Sequence, residues 1–580
     1  MKTFEKVMPF VKRNSYKLFF GIILIVVIDA GQLYTIKIMQ QAIDSLSKTG
    51  FTRQMLVNAS LLIVGITLFI TILRYFWRLA FIGTAWSMDR DLRQMYYDHL
   101  MKLSANFYNK TKTGDLMAYA TNDMNAIRML LAFGFVIGAD IIVIAVVSIF
   151  FMVDISLRLT LLAILPTPFL TLIIMYFGKK IHARFRKVQK TFASMSGIVQ
   201  ESISGIRVVK AFVQEEAELE KMSESARDYM DENIGLIKIF ALFHPAMFLL
   251  INACMGIVLI FGGQAAILHD ISIGEFVAFF QYLGMLVWPM IAIGWIVNLF
   301  QRGTASLKRL NSILNVDPEI VDKDIDENIS TLKGKISFIN LEFSYSPETP
   351  KIFNGISFEI EAGKTLAIVG RTGCGKTTVI DLLSRVYNPP ANSIFFDDNE
   401  IYRVPLDILR SNLVMVPQEI FLFSDTVANN ISLGKNKATR EEIEEVSKKA
   451  QVHSSIIEFE NGFDTVIGER GVTLSGGQKQ RLAIARALLT DPNILILDDA
   501  LSAVDTKTEK NILEDLIKMR KDKTTIIISH RISSIQHADK IIVLNEGKIA
   551  EEGSHKQLLT KNGIYADIYE KQQIEEKLSE

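Results

Sequence analysis

The chain has 580 residues, 49% hydrophobic and 22% charged, which is too long for one compact domain. Basic and acidic residues both number 63, so net charge indicates neither a nucleic-acid partner nor an acidic substrate. Two cysteines, Cys254 and Cys374, provide no disulfide framework, and a mean hydropathy of +0.26 implies an apolar half beside a polar one.

The apolar half comes first. About six stretches approach the roughly 20 residues that a membrane-crossing helix needs, near 17–39, 55–77, 130–153, 159–177, 239–267 and 276–300. The first is long enough to stay in the membrane and is followed by no small-residue cleavage site. Lys2, Lys6, Lys12 and Arg13 precede it, and the connections 89–128 and 179–238 are rich in lysine and arginine. The connections 40–53, 154–158 and 269–275 carry few basic residues. The positive-inside rule then predicts a multi-pass protein of the cell membrane, with both termini and both long connections cytoplasmic. Apolar residues recur at helical spacing in those connections, at Met88, Leu92, Met95, Leu100 and Leu103 and at Ile198, Ile203, Ile206 and Val209. The expectation is helices that run past the headgroups and return. Their tips are expected near Lys112, Thr113, Gly114 and Asp115, where glycine would break the helix, and near Ser204, Gly205, Ile206 and Arg207, where they would touch a cytosolic domain.

Asp29 and Asp140 fall near the middle of their spans. Ionisable residues there are costly and face a cavity or a partner. They are the candidate substrate contacts and would favour amphipathic cations. Phe276, Phe279, Phe280, Met285 and Trp288, with Phe240, Phe243 and Phe248, could supply an adaptable apolar surface. Arg74 and Arg78 are expected to snorkel to the inner boundary.

Composition changes after about Asn315. Residues 1–316 form the expected membrane domain, 317–334 an acidic, polar linker, and 335–580 an α/β domain. In the last, 365–369, 413–416, 494–497 and 525–529 are short apolar runs of the buried parallel-strand type. Gly370, Arg371, Thr372, Gly373, Cys374, Gly375, Lys376 and Thr377 follow the first run and match G-x-x-x-x-G-K-[ST]. The glycines let backbone amides surround a β-phosphate, Lys376 reaches the β- and γ-phosphates, and Thr377 meets Mg²⁺. Thr378 continues into the helix, whose N-terminal dipole adds to the site. Asp498, at the end of 494–497, is expected to hold Mg²⁺. Cys374, at a helix N-terminus in an electropositive loop, is expected to be the more reactive thiol.

A second anion site lies at Leu474, Ser475, Gly476, Gly477 and Gln478, where a Ser-Gly-Gly turn opens a helix. With the phosphate loop, these residues resemble the signature motif of the ATP-binding-cassette transporters. The resemblance covers nearly the whole chain. It implies ATP and Mg²⁺ as cofactors, and two cassettes facing head to tail, each ATP lying between one chain's phosphate loop and the other's signature. It further implies an adenine-stacking role for Tyr345 and a Mg²⁺-sensing role for Gln418. Asp505, in Ser502-Ala503-Val504-Asp505, would lie on the loop that crosses the dimer interface, and His530 would contact the γ-phosphate. The segments 112–117 and 201–212 look like exporter coupling helices. Residues 465–471 look like the exporter loop that meets them, with Val466 where glutamate is usual. Membrane half first and cassette second is the order of exporter half-transporters, and no peptidase-like domain precedes the spans.

The family's usual catalytic glutamate is replaced here by Asp499, one methylene shorter. The implied protein is one subunit of a heterodimeric multidrug-type exporter for hydrophobic or amphipathic small molecules, with one slow ATP site. Its partner would be a second half-transporter that carries the glutamate. Alternatives are a homodimeric lipid or peptide exporter, or an ATP-gated membrane protein that does not pump.

Overall fold

The structure, a computed structural model, describes residues 2–46, 52–468 and 474–579. It divides into two compact units, Met1–Met101 with Thr113–Val316, and Lys102–Lys112 with Asp317–Glu580.

The first unit is helical. Among the described residues, five helices are long and apolar enough to cross a membrane: Ser15–Leu46, Arg53–Leu100, Thr113–Ile155, Glu215–Ile267 and Ile273–Leu314. The stretch expected at 159–177 is interrupted. One helix spans Leu157–Ile164, the next spans Thr167–Ser204, and the chain turns at Leu165 and Pro166. Pro166 and Pro168 stand two residues apart, and neither can donate a backbone hydrogen bond. The second tip forms at Gly205, between Thr167–Ser204 and a short helix, Ile206–Ala211. The first tip lies upstream of its expected place. Arg53–Leu100 ends before Ser104, whose extended backbone leads into the short helix Ala105–Lys110. Gly114 breaks nothing, because it sits in the first turn of the next helix, Thr113–Ala118. Near a helix N-terminus the entropic cost of glycine is small, so 112–117 opens a long helix instead of forming the tip.

The second unit is α/β. An antiparallel sheet has the order β2-β1-β4-β5, with β1 Ile336–Phe343, β2 Phe353–Ile360, β4 Ile394–Phe396 and β5 Asn399–Glu400. A six-stranded sheet has the order β10-β9-β3-β8-β7-β6. Its strands are β3 Thr365–Gly370, β6 Leu413–Val416, β7 Ile494–Asp498, β8 Thr524–Ile528, β9 Lys540–Asn545 and β10 Lys548–Gly553. All neighbours are parallel except the β9–β10 pair. Both faces are covered. Leu366, Ile368, Ile494, Ile496, Ile526 and Ile528 enter one apolar core, and Ala367, Val369, Leu495, Leu497 and Ile527 enter the other. That double burial explains the unbroken apolar runs in the sequence. Segment 317–334, expected as a linker, packs on this unit: Asp322 lies 3.6 Å from the buried Arg385 guanidinium, and Leu332 is buried.

One contact clamps the first unit where Ser15–Leu46 ends. Asp44 accepts hydrogen bonds from the Ser272 hydroxyl at 2.8 Å and from the Gly274 amide at 2.7 Å. A Cβ at Gly274 would lie 2.3 Å from the Gln40 carbonyl oxygen. Backbone cannot yield there, so Gly274→Ala should cost about 1–3 kcal/mol by overpacking. Gly138→Ala, with nothing within 4 Å of its Cβ, is the control. Thermal denaturation of the solubilised protein should show a lowered midpoint for the first variant and none for the second.

Candidate active site

Strands β3, β8, β7 and β6 are parallel, so their carboxyl ends share one edge. Five of the sequence-predicted groups lie at or just beyond that edge. Gly370 to Lys376 follows β3, Gln418 follows β6, Asp498 ends β7 and Asp499 follows it, and His530 comes two residues after β8. Ligands of open α/β sheets bind at such an edge.

The loop needs its glycines. Gly373 and Gly375 have φ of 82° and 102°, where side chains are strained, and a Cβ at Gly375 would meet the Phe353 ring at 2.7 Å. Arg371 and Thr372 are exposed. Lys376 Nζ donates to the carbonyls of Gly370, at 2.8 Å, and Arg371, at 3.1 Å, so the loop is tied over its own lysine. Cys374 does not sit on the loop's open side. It is 8% exposed, packs in the apolar core beside Gly370, and is as buried as Cys254 at 6%. Burial therefore removes the basis for expecting faster reaction at Cys374. Thr377 is exposed, whereas Thr378 is buried and shares its hydroxyl with Tyr345 Oη at 2.9 Å. Tyr345 also donates to Asp381 at 3.4 Å, and its ring packs edge-on against Tyr387. The aromatic expected at the adenine is thus tethered to the loop's own helix, Lys376–Leu383.

Asp498 is buried at 4% exposure. Burial, then the neighbouring charge of Asp499, pushes its carboxyl up to about 6; Lys376 and the Thr377 hydroxyl pull the other way. A buried carboxylate raised in this way fits a hard cation. Mg²⁺ is commonly held by one or two carboxylates together with substrate phosphates, and Asp498 could supply such a carboxylate. Asp499 differs from Asp498. Its backbone is left-handed, with φ of 43°. Its Oδ1 accepts from the His530 amide at 3.2 Å and lies 2.8 Å from His530 Nδ1.

The signature residues sit elsewhere. Ser475 caps the helix Gly476–Leu489: its hydroxyl accepts from the Gln478 amide at 3.3 Å, and Gln478 Oε1 accepts from the Ser475 amide at 3.0 Å. Gly476 and Gly477 face Ala503, whose carbonyl oxygen would lie 2.9 Å from a Cβ at Gly477. Leu474 packs against the core. Among the described residues, no hydrogen bond or ion pair joins this segment to the phosphate loop. Asp505 is exposed and caps the helix Thr506–Met519, accepting from the Thr508 amide at 3.0 Å, which holds its carboxyl below the ordinary range. The exporter-like loop 465–471 is described only to Gly468. Val466, exposed, bridges to Thr426, and residues 469–473 lie outside the described residues.

Sequence reasoning missed the groups that hold the 502–505 turn. Gln480 donates to Ser502 Oγ at 3.0 Å and accepts from the Ala503 amide at 2.8 Å. Arg531 donates to the Ser502 carbonyl and to the buried Glu509, both at 2.8 Å. The only available signal was adjacency, since Gln480 lies two residues past Gln478 and Arg531 follows His530.

In the first unit, Asp29 and Asp140 line one cavity of about 390 Å³ with Gln32, Arg74, Met285 and Trp288. Asp29 is 2% exposed and its Oδ2 has no hydrogen-bond partner. Arg74 donates to Gln32 Oε1 at 2.7 Å, so it turns to the cavity's polar groups and not only to the membrane boundary. Phe279, expected on an adaptable surface, is fully buried among helices, while Phe248 is exposed.

The raised Asp498 has a pH signature. The unfolded chain ionises this carboxyl near 3.8, whereas the folded chain resists ionisation until about 6. The folded state binds more protons across that window, so stability falls as pH rises through it. A bound cation offsets the cost of ionisation. MgCl₂ with ATP should therefore raise the melting temperature more at about pH 7.5 than at about pH 5.5, and Asp498→Asn should flatten the difference. Equal shifts in the unmodified protein at both pH values would count against Asp498 as a metal ligand.

Comparison with known proteins accords with this geometry. The family described as "ABC transporter transmembrane region" matches residues 18–290, and "ABC transporter" matches 353–502. A probable multidrug resistance ABC transporter ATP-binding/permease protein, YheI of Bacillus subtilis (strain 168), is 39% identical over 556 residues, 96% of this chain and 95% of that protein. An ATP-dependent lipid A-core flippase of Syntrophus aciditrophicus (strain SB) is 36% identical over 492 residues, 84% of this chain and 81% of that protein. The solved structure of a bacterial Atm1-family ABC exporter with ATP bound superposes with a TM-score of 0.79 at 28% identity, covering 96% of this chain and 99% of that one. The chain belongs to the ABC transporter family, as an exporter half-transporter with a helical membrane domain and a cytoplasmic ATPase domain.

Proposed function

We propose that this chain is the slow half of a heterodimeric multidrug exporter. At the coarser level it is an ABC exporter of the multidrug or lipid A-core flippase type, an ATPase coupled to transport that uses ATP and Mg²⁺. The finer reading rests on Asp499. A general base must come within about 2.6–3.2 Å of the proton it takes. The shortened side chain at this position already gives Oδ1 to the His530 amide and faces the His530 ring at 2.8 Å. A misplacement of about 1 Å can cost on the order of a hundredfold in rate.

Binding is a separate matter. Lys376, Thr377, Gln418 and Asp498 are all present at the sheet edge to hold phosphates and Mg²⁺, which when bound neutralises phosphate charge. Tyr345 would pack on adenine and His530 would approach the γ-phosphate. The signature helix keeps its cap and its two glycines, so Leu474 to Gln478 can offer helix-start amides to the ATP on a partner's loop. Asp505 would border that interface. Exposed apolar side chains at the second tip, Ile206, Val208, Phe212 and Val213, also support a second half-transporter that covers them.

For substrate, the unpartnered carboxylate oxygen of Asp29 beside Asp140, with Trp288 in the same cavity, supports amphipathic cations. The similarity to a lipid A-core flippase supports a second reading, a homodimeric lipid exporter.

Purification decides between the two. The chain alone should hydrolyse ATP slowly, and the native complex should contain a different half-transporter. A stable homodimer with brisk, drug-stimulated hydrolysis would sink the heterodimer reading. Within the complex, Asp499→Asn should change turnover by less than about twofold, whereas Ser475→Arg should remove nearly all of it, because only the second alters the site completed for the partner.

The cavity acids make a separate prediction. Asp29→Asn and Asp140→Asn should each lower transport of cationic dyes by about tenfold while sparing neutral dyes. Normal cation transport by both variants, at normal expression, would refute a role for these acids.

A further inference from the structure

We propose that the first unit binds one anionic phospholipid of the cytoplasmic leaflet, with an acyl chain in a cavity beneath the N-terminal segment. The cavity measures about 840 Å³, within the roughly 300–1,000 Å³ typical of ligand sites. Phe81, Thr84, Ala85 and Met88 of the helix Arg53–Leu100 form one wall, and Val7 and Met8 of the N-terminal segment face them. Among the described residues, two lining side chains, Glu5 and Thr84, are polar. That composition excludes a nucleotide or a sugar and suits a hydrocarbon chain with one polar anchor.

Thr84 provides the anchor. It is 2% exposed, and its hydroxyl has no hydrogen-bond partner. Threonines elsewhere in the same helix are satisfied internally: Thr67 and Thr71 each donate to the carbonyl four residues back at 2.8 Å. A buried hydroxyl left unpaired is costly. A glycerol-ester carbonyl entering from the membrane would accept its proton.

Charge selects the headgroup. Lys6, Lys12 and Lys17 are exposed on and just after the segment that covers the cavity, and Arg13 reaches Asp91 at 3.8 Å. Thr84 lies between Arg78 and Arg90, at the cytoplasmic end of its span by the positive-inside rule. A basic segment at that boundary attracts anionic headgroups. Glu5 opposes this attraction locally and directs the phosphate toward Lys6 and Lys12. The site is separate from the acid cavity and does not depend on which partner the chain takes.

The full-length protein, reconstituted in phosphatidylcholine vesicles, can be probed with phosphatidylglycerol that carries a photoactivatable diazirine on its acyl chain. Adducts mapped by peptide mass spectrometry should concentrate in residues 4–11 and 81–88. Unlabelled phosphatidylglycerol should compete, and phosphatidylcholine should not. Lys6→Gln and Lys12→Gln should each lower the yield about fivefold, and high salt should act likewise. Thr84→Val, nearly isosteric, should lower it several-fold without changing the charge. Adducts spread evenly over all the spans would overturn the proposal. So would equal labelling by a phosphatidylcholine probe, or displacement of the probe by a transported dye, which would make the cavity a neutral lipid or substrate site.

Discussion

The pairing register of β3, β8 and β7 governs the chemistry of the second unit. Leu366 pairs with Ile526, Ile526 with Ile496, and Ile528 with Asp498. With both sheet faces buried, a one-residue slip would exchange every side chain between the two cores. It would also carry Asp498 away from Thr377 and Lys376. The small difference between a buried acid that suits a cation and an adjacent acid turned to a histidine therefore depends on apolar packing distant from either carboxylate. Backbone pairing fixes the strands, the strands fix where the loops begin, and glycines with left-handed φ let the phosphate loop close over its lysine.

The first unit solves a different problem, because most of its surface suits lipid and its polar groups must find partners within it. Toward the cytoplasmic ends of the helices several do. Asp123 accepts from Ser306 at 2.8 Å and from Arg309 Nε at 2.9 Å, joining Thr113–Ile155 to Ile273–Leu314. Arg93 pairs with Asp89 at 2.7 Å along its own helix. Such satisfied networks brace long helices. Asp29 and Thr84 each keep a buried polar atom unpaired, and each lines a cavity; those two cavities are the proposed ligand sites.

How much the sequence revealed depended on how local the signal was. The phosphate loop, the signature cap and four of the five parallel strands were legible because each is a short pattern with one physical cause; β9 was not read. The antiparallel strands β1, β2, β4 and β5 were not, since their identity comes from pairing with one another more than from local composition. The first tip was misplaced because Gly114 was read as a helix breaker, although a glycine in a first turn breaks nothing. The 159–177 stretch scored as one apolar run because hydropathy does not register two prolines as a turn. Cys374 was read from its loop's charge, while its exposure depends on which way the side chain points. Gln480, Arg531 and Glu509 support the 502–505 turn, and sequence could not show this because their contacts cross 22 to 29 positions.

The left-handed backbone at Asp499 bears on how readily this chain could accept a glutamate there. Aspartate and asparagine tolerate that conformation far better than longer residues do, because their short polar side chains bond locally. Here the local bond is to His530. Asp499→Glu would lengthen the acid, but it would also lose a conformational preference and loosen the histidine. The substitution then carries a folding penalty before any catalytic benefit appears. In a dimer of unequal ATP sites, as proposed above, backbone geometry would hold the shorter acid in place independently of the transport cycle.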